Sequence, residues 1–205
     1  MKESYFDITG GLILSFDAST EKNSLLQSIK SALIGGVDVV GLYNTQKITD
    51  SPHKLINEVN SEAGKFDVPL IVIDHWSILN EAHVDGVFFT KIPENIDEIA
   101  KELSGDFILG IQCSSEDDVT WSNEYESDFC IININELSES EIKKLSEINT
   151  RTLFLAGIEN AEDLQKFEDI SFDGIFPDHS FSPDQNILQI TESYKTALSM
   201  VFSHE

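Results

Sequence analysis

The 205-residue chain is short of positive charge: 13 lysines and arginines stand against 37 aspartates and glutamates, a formal net charge of -24, and Arg151 is its single arginine. Phosphate backbones are gripped by clustered Lys and Arg, so nucleic acid is not an expected partner, and the same repulsion works against anionic membrane surfaces. Long apolar runs are missing too. Nowhere do about 18 apolar residues follow one another, and the opening MKESYFDITGG carries no apolar stretch behind a basic start. A cytoplasmic protein without a membrane anchor is the expectation. Cysteine is scarce: Cys113 and Cys130 are the two present, neither has the close Cys or His spacing of a zinc site, and both are expected to pack as reduced, buried thiols. Proline and glycine are few, at 5 and 11, while 40% of residues are hydrophobic, which predicts one ordered domain over residues 1–205 with no linker. The acidity itself fits a solvated surface, a saline habitat or an acidic interaction surface, and composition does not separate these.

What is present is a rhythm. Val68 to Ile73 is a continuous apolar run, mostly β-branched and too short for a helix, as suits a strand buried on both faces. Similar runs recur from end to end and predict eight strands, over 11–16, 37–42, 69–73, 84–89, 107–112, 129–134, 152–156 and 172–176. Between them lie segments of helical period: Leu25, Ile29 and Leu33 share a face, as do Leu55, Val59 and Ala63, Ile142 and Leu145, and, in the last segment, Ile190, Tyr194, Ala197 and Val201. A short helical segment is expected over 77–82, with His53 and His83 on helices. Asp38-Val39, Asp85-Gly86 and Asp173-Gly174 stand where helices lead back into strands. Eight βα units of roughly 26 residues predict a closed parallel (β/α)₈ TIM barrel, an economical version of a fold that usually takes ~250 residues. An open doubly wound sheet would want G-x-G-x-x-G after the first strand, and none occurs.

In such barrels the site lies at the carboxyl ends of the strands. Asp17 and Ser19 follow the first strand, with Asp17 also a candidate helix cap; Tyr43, Asn44 and Thr45 follow the second, Asp74 and His75 the third, Thr90 and Lys91 the fourth. Gln112 ends the fifth, Asn133 the sixth, Gly157 and Ile158 follow the seventh, and Asp178, His179 and Ser180 the eighth. Asp74 is a candidate base, metal ligand or acceptor of backbone amides, and His75, with an ordinary pKa near 6.5, suits proton transfer. Phosphate binding in these barrels uses amides after strands seven and eight, which singles out Gly157 and Ile158 on one side and His179 and Ser180 on the other. Trp76 is a candidate aromatic wall.

Ala32-Leu33-Ile34-Gly35-Gly36-Val37 runs from a helix into the second strand, Val68 to Asp74 and Val84-Asp85-Gly86-Val87-Phe88 form the third and fourth, and Gly110-Ile111-Gln112, Ser127-Asp128-Phe129 and Leu155-Ala156-Gly157-Ile158 continue the order. In these segments, by sequence and spacing, the chain resembles the thiamin phosphate synthase and TenI family of small barrels, whose Val-Pro-Leu-Ile-Ile-Asn-Asp stretch and Ala-Asp-Gly-Val-His strand stand in the same places. The resemblance implies a transferase that joins a pyrimidine methyl group, carried by its diphosphate, to thiazole phosphate with Mg²⁺. The family's working residues are sparser here. Its Gln-x-Arg-x-Lys signature falls on Gly41, Tyr43 and Thr45, its Asn-Asp pair on Ile73 and Asp74, its second magnesium carboxylate near Pro93, and its Thr-x-Thr-Lys loop is shortened to Asn133, Ile134 and Asn135. Stabilising a departing diphosphate takes Mg²⁺ and cations. The expectation is therefore a protein of thiamin metabolism with a degraded catalytic site that binds a phosphorylated thiazole or pyrimidine, with Asp74 and Mg²⁺ as the remaining metal pair and Lys91 the one cation at the rim. Two alternatives stay open: a non-catalytic barrel acting through protein contacts, including a homodimer, and a different enzyme that uses Asp74, His75 and His179 as acid-base groups.

Overall fold

Eight short strands pair in parallel in chain order, and β1 (Gly11–Asp17) also pairs with β8 (Gly174–Phe176), which closes the sheet into a barrel. The computed structural model describes residues 8–48, 50–103, 107–167, 169–177 and 185–202. The other strands are β2 (Val39–Tyr43), β3 (Leu70–Ile73), β4 (Gly86–Phe89), β5 (Ile108–Gln112), β6 (Phe129–Asn133) and β7 (Thr152–Ala156). Helices α1 (Lys22–Ile34), α2 (Pro52–Ala63), α3 (Ile96–Leu103), α4 (Glu116–Glu124), α5 (Glu139–Ile148) and α6 (Ile187–Phe202) form the outer ring. Two positions of that ring are thin: 3₁₀ turns at Trp76–Asn80 and Ala161–Phe167 stand where full helices would follow β3 and β7. This is how 205 residues complete eight units. The predicted barrel is the observed one.

The strands are buried on both faces because they separate two cores. Outward residues such as Leu12, Leu14, Val40, Leu42, Val72 and Leu155 pack against the helices, whereas Ile13, Val39, Ile71, Phe88, Phe129 and Phe154 fill the barrel interior. Alternation along each strand assigns each residue to one core or the other. Aromatic rings plug the interior: Phe129 lies 6.0 Å from Phe88 and 5.6 Å from Phe154, and Phe88 lies 5.6 Å edge-on from Phe176. Gly110 makes this possible, since a Cβ there would overlap the Phe129 ring.

Three strands start later than the apolar runs suggest. Val37, Val84 and Phe172 are buried in the outer core, but the ladders begin at Val39, Gly86 and Gly174. The aspartates between explain it: Asp38, Asp85 and Asp173 turn the chain into the sheet, so the apolar residue ahead of each packs in a connection. The buried face of α6 is also rotated from the expected stripe. Ile187, Thr191, Tyr194 and Leu198 face inward, while Ile190, Ala197 and Val201 are half-buried; the Thr191 hydroxyl donates to the Ile187 carbonyl at 2.7 Å, which lets a polar side chain join the core. His83 lies in the connection after the 3₁₀ turn rather than on a helix. Both cysteines are buried, as expected, and the Cys130 thiol is pushed up by its contact with Cys113 and by burial. No described helix is long and apolar enough to cross a membrane.

Candidate functional site at the carboxyl ends of the strands

The polar residues that follow the strands gather into two groups at one end of the barrel. The first bridges β1 to β4. Asp17 Oδ1 accepts from the Ser19 amide at 2.8 Å and the Ser19 hydroxyl at 2.6 Å, and Oδ2 accepts from Asn44 Nδ2 at 3.0 Å. Burial alone would raise this carboxyl, yet the Ser19 and Asn44 bonds and the Lys47 charge together hold it below the usual range. Asp17 is not the cap of α1, a role taken by Glu21, which accepts from Ser24. Residue Asn44 takes a left-handed backbone with φ 57°, which asparagine tolerates, and turns its amide back over β1.

Asp74 ends β3 with φ 57°, a conformation that swings its carboxylate across to β4. Oδ1 accepts from the Thr90 amide at 2.8 Å and Oδ2 from the Thr90 hydroxyl at 2.5 Å. Of the roles considered for Asp74, holding a neighbouring backbone amide is the one seen. His75 turns the other way, its Nδ1 sharing a hydrogen with the buried Thr45 hydroxyl at 2.7 Å. The two adjacent residues thus brace different strands and no hydrogen bond joins them. Trp76 packs half-buried against the outer core. Lys91 is exposed and makes no hydrogen bond or ion pair among the described residues.

The second group joins β5, β6 and β7. Gln112 and Asn133 end strands whose preceding alternate residues, Ile108 and Ile131, point into the barrel, so they share that inward register. Both donate to Glu136: Gln112 Nε2 to Oε2 at 3.2 Å and Asn133 Nδ2 to Oε1 at 3.1 Å. Asn133 Oδ1 accepts from the Asn135 amide at 3.0 Å, and Asn135 Nδ2 donates to the Gly157 carbonyl at 3.2 Å. Gly157 has φ 86°, and a Cβ there would meet Asn133 Oδ1 and Asn135 Nδ2 at 2.7 Å, so glycine is required both by backbone and by space. The amides of Gly157 and Ile158 have no hydrogen-bond partner among the described residues. Behind them the Tyr194 hydroxyl shares its hydrogen between the carbonyls of Ile158, 3.1 Å away, and Glu159, 2.8 Å away. Burial, then the charges of Asp163 and Glu159, push that phenol up to about 12.

Sequence reasoning placed Asp17, Tyr43, Asn44, Asp74, His75, Lys91, Gln112, Asn133, Gly157 and Ile158 at this end, and the structure puts each of them there; His179 and Ser180 lie outside the described residues. It missed Glu136 and Tyr194. Glu136 stands three residues after Asn133, a spacing at which a side chain can turn back on a strand end; nothing near Tyr194 in the sequence announces its bond to carbonyls 35 residues away. The lone arginine is at the opposite end, where Arg151 precedes β7 and donates to the Asn123 carbonyl at 3.3 Å. Magnesium usually takes one or two carboxylates plus phosphate oxygens and water. Among the described residues no group of three or more His, Cys, Asp or Glu side chains could hold a metal ion, and both oxygens of Asp74 already accept from Thr90. Asp74 is thus the one strand-end carboxylate of the expected metal pair that the described residues place, and its two oxygens are already engaged with Thr90.

A closed (β/α)₈ barrel with convergent polar groups after the strands defines a small TIM-barrel protein. The chain belongs to the thiamine monophosphate synthase family, whose model matches residues 12–150. A thiamine-phosphate synthase of Halalkalibacterium halodurans is 27% identical over 88 residues, 43% of this chain and 42% of that protein, so the match spans about two fifths of the relative's length. A thiamine phosphate pyrophosphorylase from Pyrococcus furiosus superposes with a TM-score of 0.74 at 18% identity, covering 93% of this chain and 96% of that one. The (S)-3-O-geranylgeranylglyceryl phosphate synthase of Thermoplasma acidophilum, solved with its substrate sn-glycerol-1-phosphate, has a TM-score of 0.68 at 8% identity and covers 94% of each chain. At these identities the two structures speak to the fold.

Proposed function

We propose that this barrel binds a phosphorylated intermediate of thiamin metabolism, thiazole phosphate before pyrimidine diphosphate, with little or no synthase turnover. The observation that carries the reading is the pair of amides at Gly157 and Ile158. They stand unpartnered among the described residues at the end of β7, where barrels of this class hold phosphate on backbone N–H groups. Weak turnover follows from what surrounds them. Pyrophosphate displacement needs cationic stabilisation of the leaving oxygens, whereas this end of the barrel presents Asp17, Asp74 and Glu136 against Lys47 and Lys91, and Gly41 and Tyr43 on β2 with Thr45 just after it stand where the family carries Gln, Arg and Lys. Magnesium enters the proposal only as a companion of a diphosphate, bound through the ligand's own oxygens.

Thermal unfolding with thiazole phosphate, pyrimidine diphosphate, pyrophosphate, inorganic phosphate and Mg²⁺ tests it. A ligand at about 100 times its dissociation constant adds roughly 2.7 kcal/mol, worth about 5 °C or more in a chain of this size. A shift with thiazole phosphate that Gly157→Ala abolishes is expected. Silence from every phosphorylated ligand sinks the reading and leaves the non-catalytic barrel; rapid formation of thiamin phosphate would restore a working synthase. A second reading has one observation of its own: Thr45 fixes the His75 ring, as an acid-base catalyst requires. In that case His75→Ala would abolish a reaction that Gly157→Ala leaves intact.

A further inference from the structure

Among the described residues the buried polar side chains are Ser15, Thr45, Ser122, Ser127 and Thr191. Four of them have a partner: Thr45 bonds to His75, Ser122 to Ser127, and Thr191 to the Ile187 carbonyl. Ser15 is the exception, since no hydrogen bond involves its hydroxyl among the described residues. It lies two positions beyond Ile13, a member of the interior core, and so keeps the inward register of β1. Its ladder partner is Gly41, where a Cβ would lie 3.4 Å from both Ser15 Cβ and Ile73 Cδ1. Ser15 thus stands beside an interior side chain, inside the barrel.

The hydroxyl is unpartnered but not sealed. Among the described residues Arg151 Nε is the one side-chain nitrogen or oxygen both shut off from solvent and unpartnered, so solvent reaches Ser15, which is 8% exposed overall. It reaches no deeper: Ile13, Val39 and Ile71, the neighbouring inward residues toward the strand starts, are closed off. Access is therefore from the carboxyl ends of the strands, where Ile73 is touched to the same 8%. Ser15 and Ile73 form the floor of a narrow well, and the interior core meets the mouth in Tyr43, Ala156 and Phe176. Apolar walls with a single polar group that fixes orientation are the pattern of a small-molecule site. Asp17, two residues further on the same register, selects the charge of the occupant. Its bonds to Ser19 and Asn44 keep it ionised, so an anionic group on the floor would be repelled and a neutral one would not.

We propose that Ser15 is a specificity-determining residue whose hydroxyl donates to the ring nitrogen of a neutral aromatic heterocycle seated in this well. That the ring is a thiazole rests on the phosphorylated-ligand reading above; the contact itself follows from β1. The phosphate arm of such a ligand stays clear of Asp17, at a separate place on the rim.

Calorimetric titration of the full chain with thiazole phosphate, and with the same phosphate carrying a thiophene ring, tests the contact. The two ligands differ at one ring position, nitrogen against C–H. A neutral hydrogen bond is worth roughly two- to tenfold in affinity, so the wild type should bind the thiazole about threefold or more tightly. Ser15→Ala should erase that preference while its affinity for inorganic phosphate stays that of the wild type. Equal binding of the two rings by the wild type, no binding of either, or a preference that survives Ser15→Ala would overturn the proposal. The unphosphorylated thiazole and thiophene alcohols, titrated alongside, separate this from the phosphate reading. Silence from inorganic phosphate, with plain and phosphorylated rings bound alike, condemns the Gly157 cradle, and a nitrogen preference that depends on Ser15 then still upholds the contact.

Discussion

Tyr194 is the side chain on which the proposed phosphate cradle rests. Its hydroxyl reaches from α6 to the carbonyls of Ile158 and Glu159, which sets the direction of the amides ahead of them. Replacing it by phenylalanine removes one buried hydrogen bond and leaves those carbonyls short of a donor, at a cost of about 1–2 kcal/mol in stability. The same change should weaken phosphate binding while leaving any chemistry at His75 alone. The phenol also carries a pH signature. With its pKa raised to about 12 in the folded chain against about 10 unfolded, it favours the fold below pH 10, and that contribution disappears as pH rises toward 12. Denaturant titrations across this window should show a steeper loss for the wild type than for Tyr194→Phe. Equal slopes would mean that the phenol is not buried as described. Lysines titrate in the same range in both proteins and cancel in the comparison.

At the scale of elements, the far end of the barrel is built from one device used four times. Asp38, Asp85, Asp128 and Asp173 precede the even strands, and their carboxylates accept from the amides of Leu12, Leu70, Leu109 and Leu153 on the odd strands, at 2.7, 2.8, 2.7 and 2.7 Å. Each aspartate's own amide donates to the carbonyl of the same leucine. Four of the eight neighbouring strand pairs, β1–β2, β3–β4, β5–β6 and β7–β8, are thus clamped at their starts. Asp85 shows what the clamp costs: burial raises its pKa, and the Leu70 amide works against that. A carboxyl raised in the fold gives stability below its unfolded pKa and loses it as pH climbs through the folded value, so charged Asp85 is a burden at neutral pH. Asp85→Asn keeps an acceptor for Leu70 and should change stability at pH 7 by less than about 1 kcal/mol, whereas Asp85→Ala strands a buried amide and should cost about 1–3 kcal/mol. A loss as large in Asn as in Ala, measured by urea unfolding, would show that the charge itself is needed. Three of these aspartates were visible in the sequence as strand-start signals, and the fourth within Ser127-Asp128-Phe129, because a lone carboxylate between an apolar run and a helix has few other uses. What was not visible was their bonding to a strand some 15 to 26 residues earlier, which depends on register. The same limit applies to the site. Strand ends named Asp74, His75 and Asn133 correctly by position, but that Asp74 would serve Thr90 and His75 would serve Thr45 depends on a left-handed turn at residue 74 that no local pattern announces.

For the whole molecule, charge decides more than any single contact. Five ion pairs are present among the described residues, from Lys22 with Glu58 to Lys195 with Asp38, and most are solvent-exposed, so each is worth about 0–1 kcal/mol. Against them stand 24 unbalanced negative charges, whose mutual repulsion weakens the compact state. Salt screens both. Raising ionic strength from about 0.01 to 1 M shortens the screening length from about 30 to 3 Å, a change that removes long-range repulsion among many like charges while costing a few surface pairs. The melting temperature should therefore rise with sodium chloride, by about 3 °C or more if the balance is worth ~1 kcal/mol. The same logic reaches the mouth of the barrel. An anion approaching Gly157 must cross the field of the whole chain, so phosphate affinity should strengthen with salt, opposite to the usual behaviour of basic phosphate sites. A phosphate affinity that rises between about 0.05 and 0.5 M salt, read by calorimetry, is what the proposed anion cradle in so acidic a barrel requires; a fall would mean that local charge decides and that the long-range field plays no part.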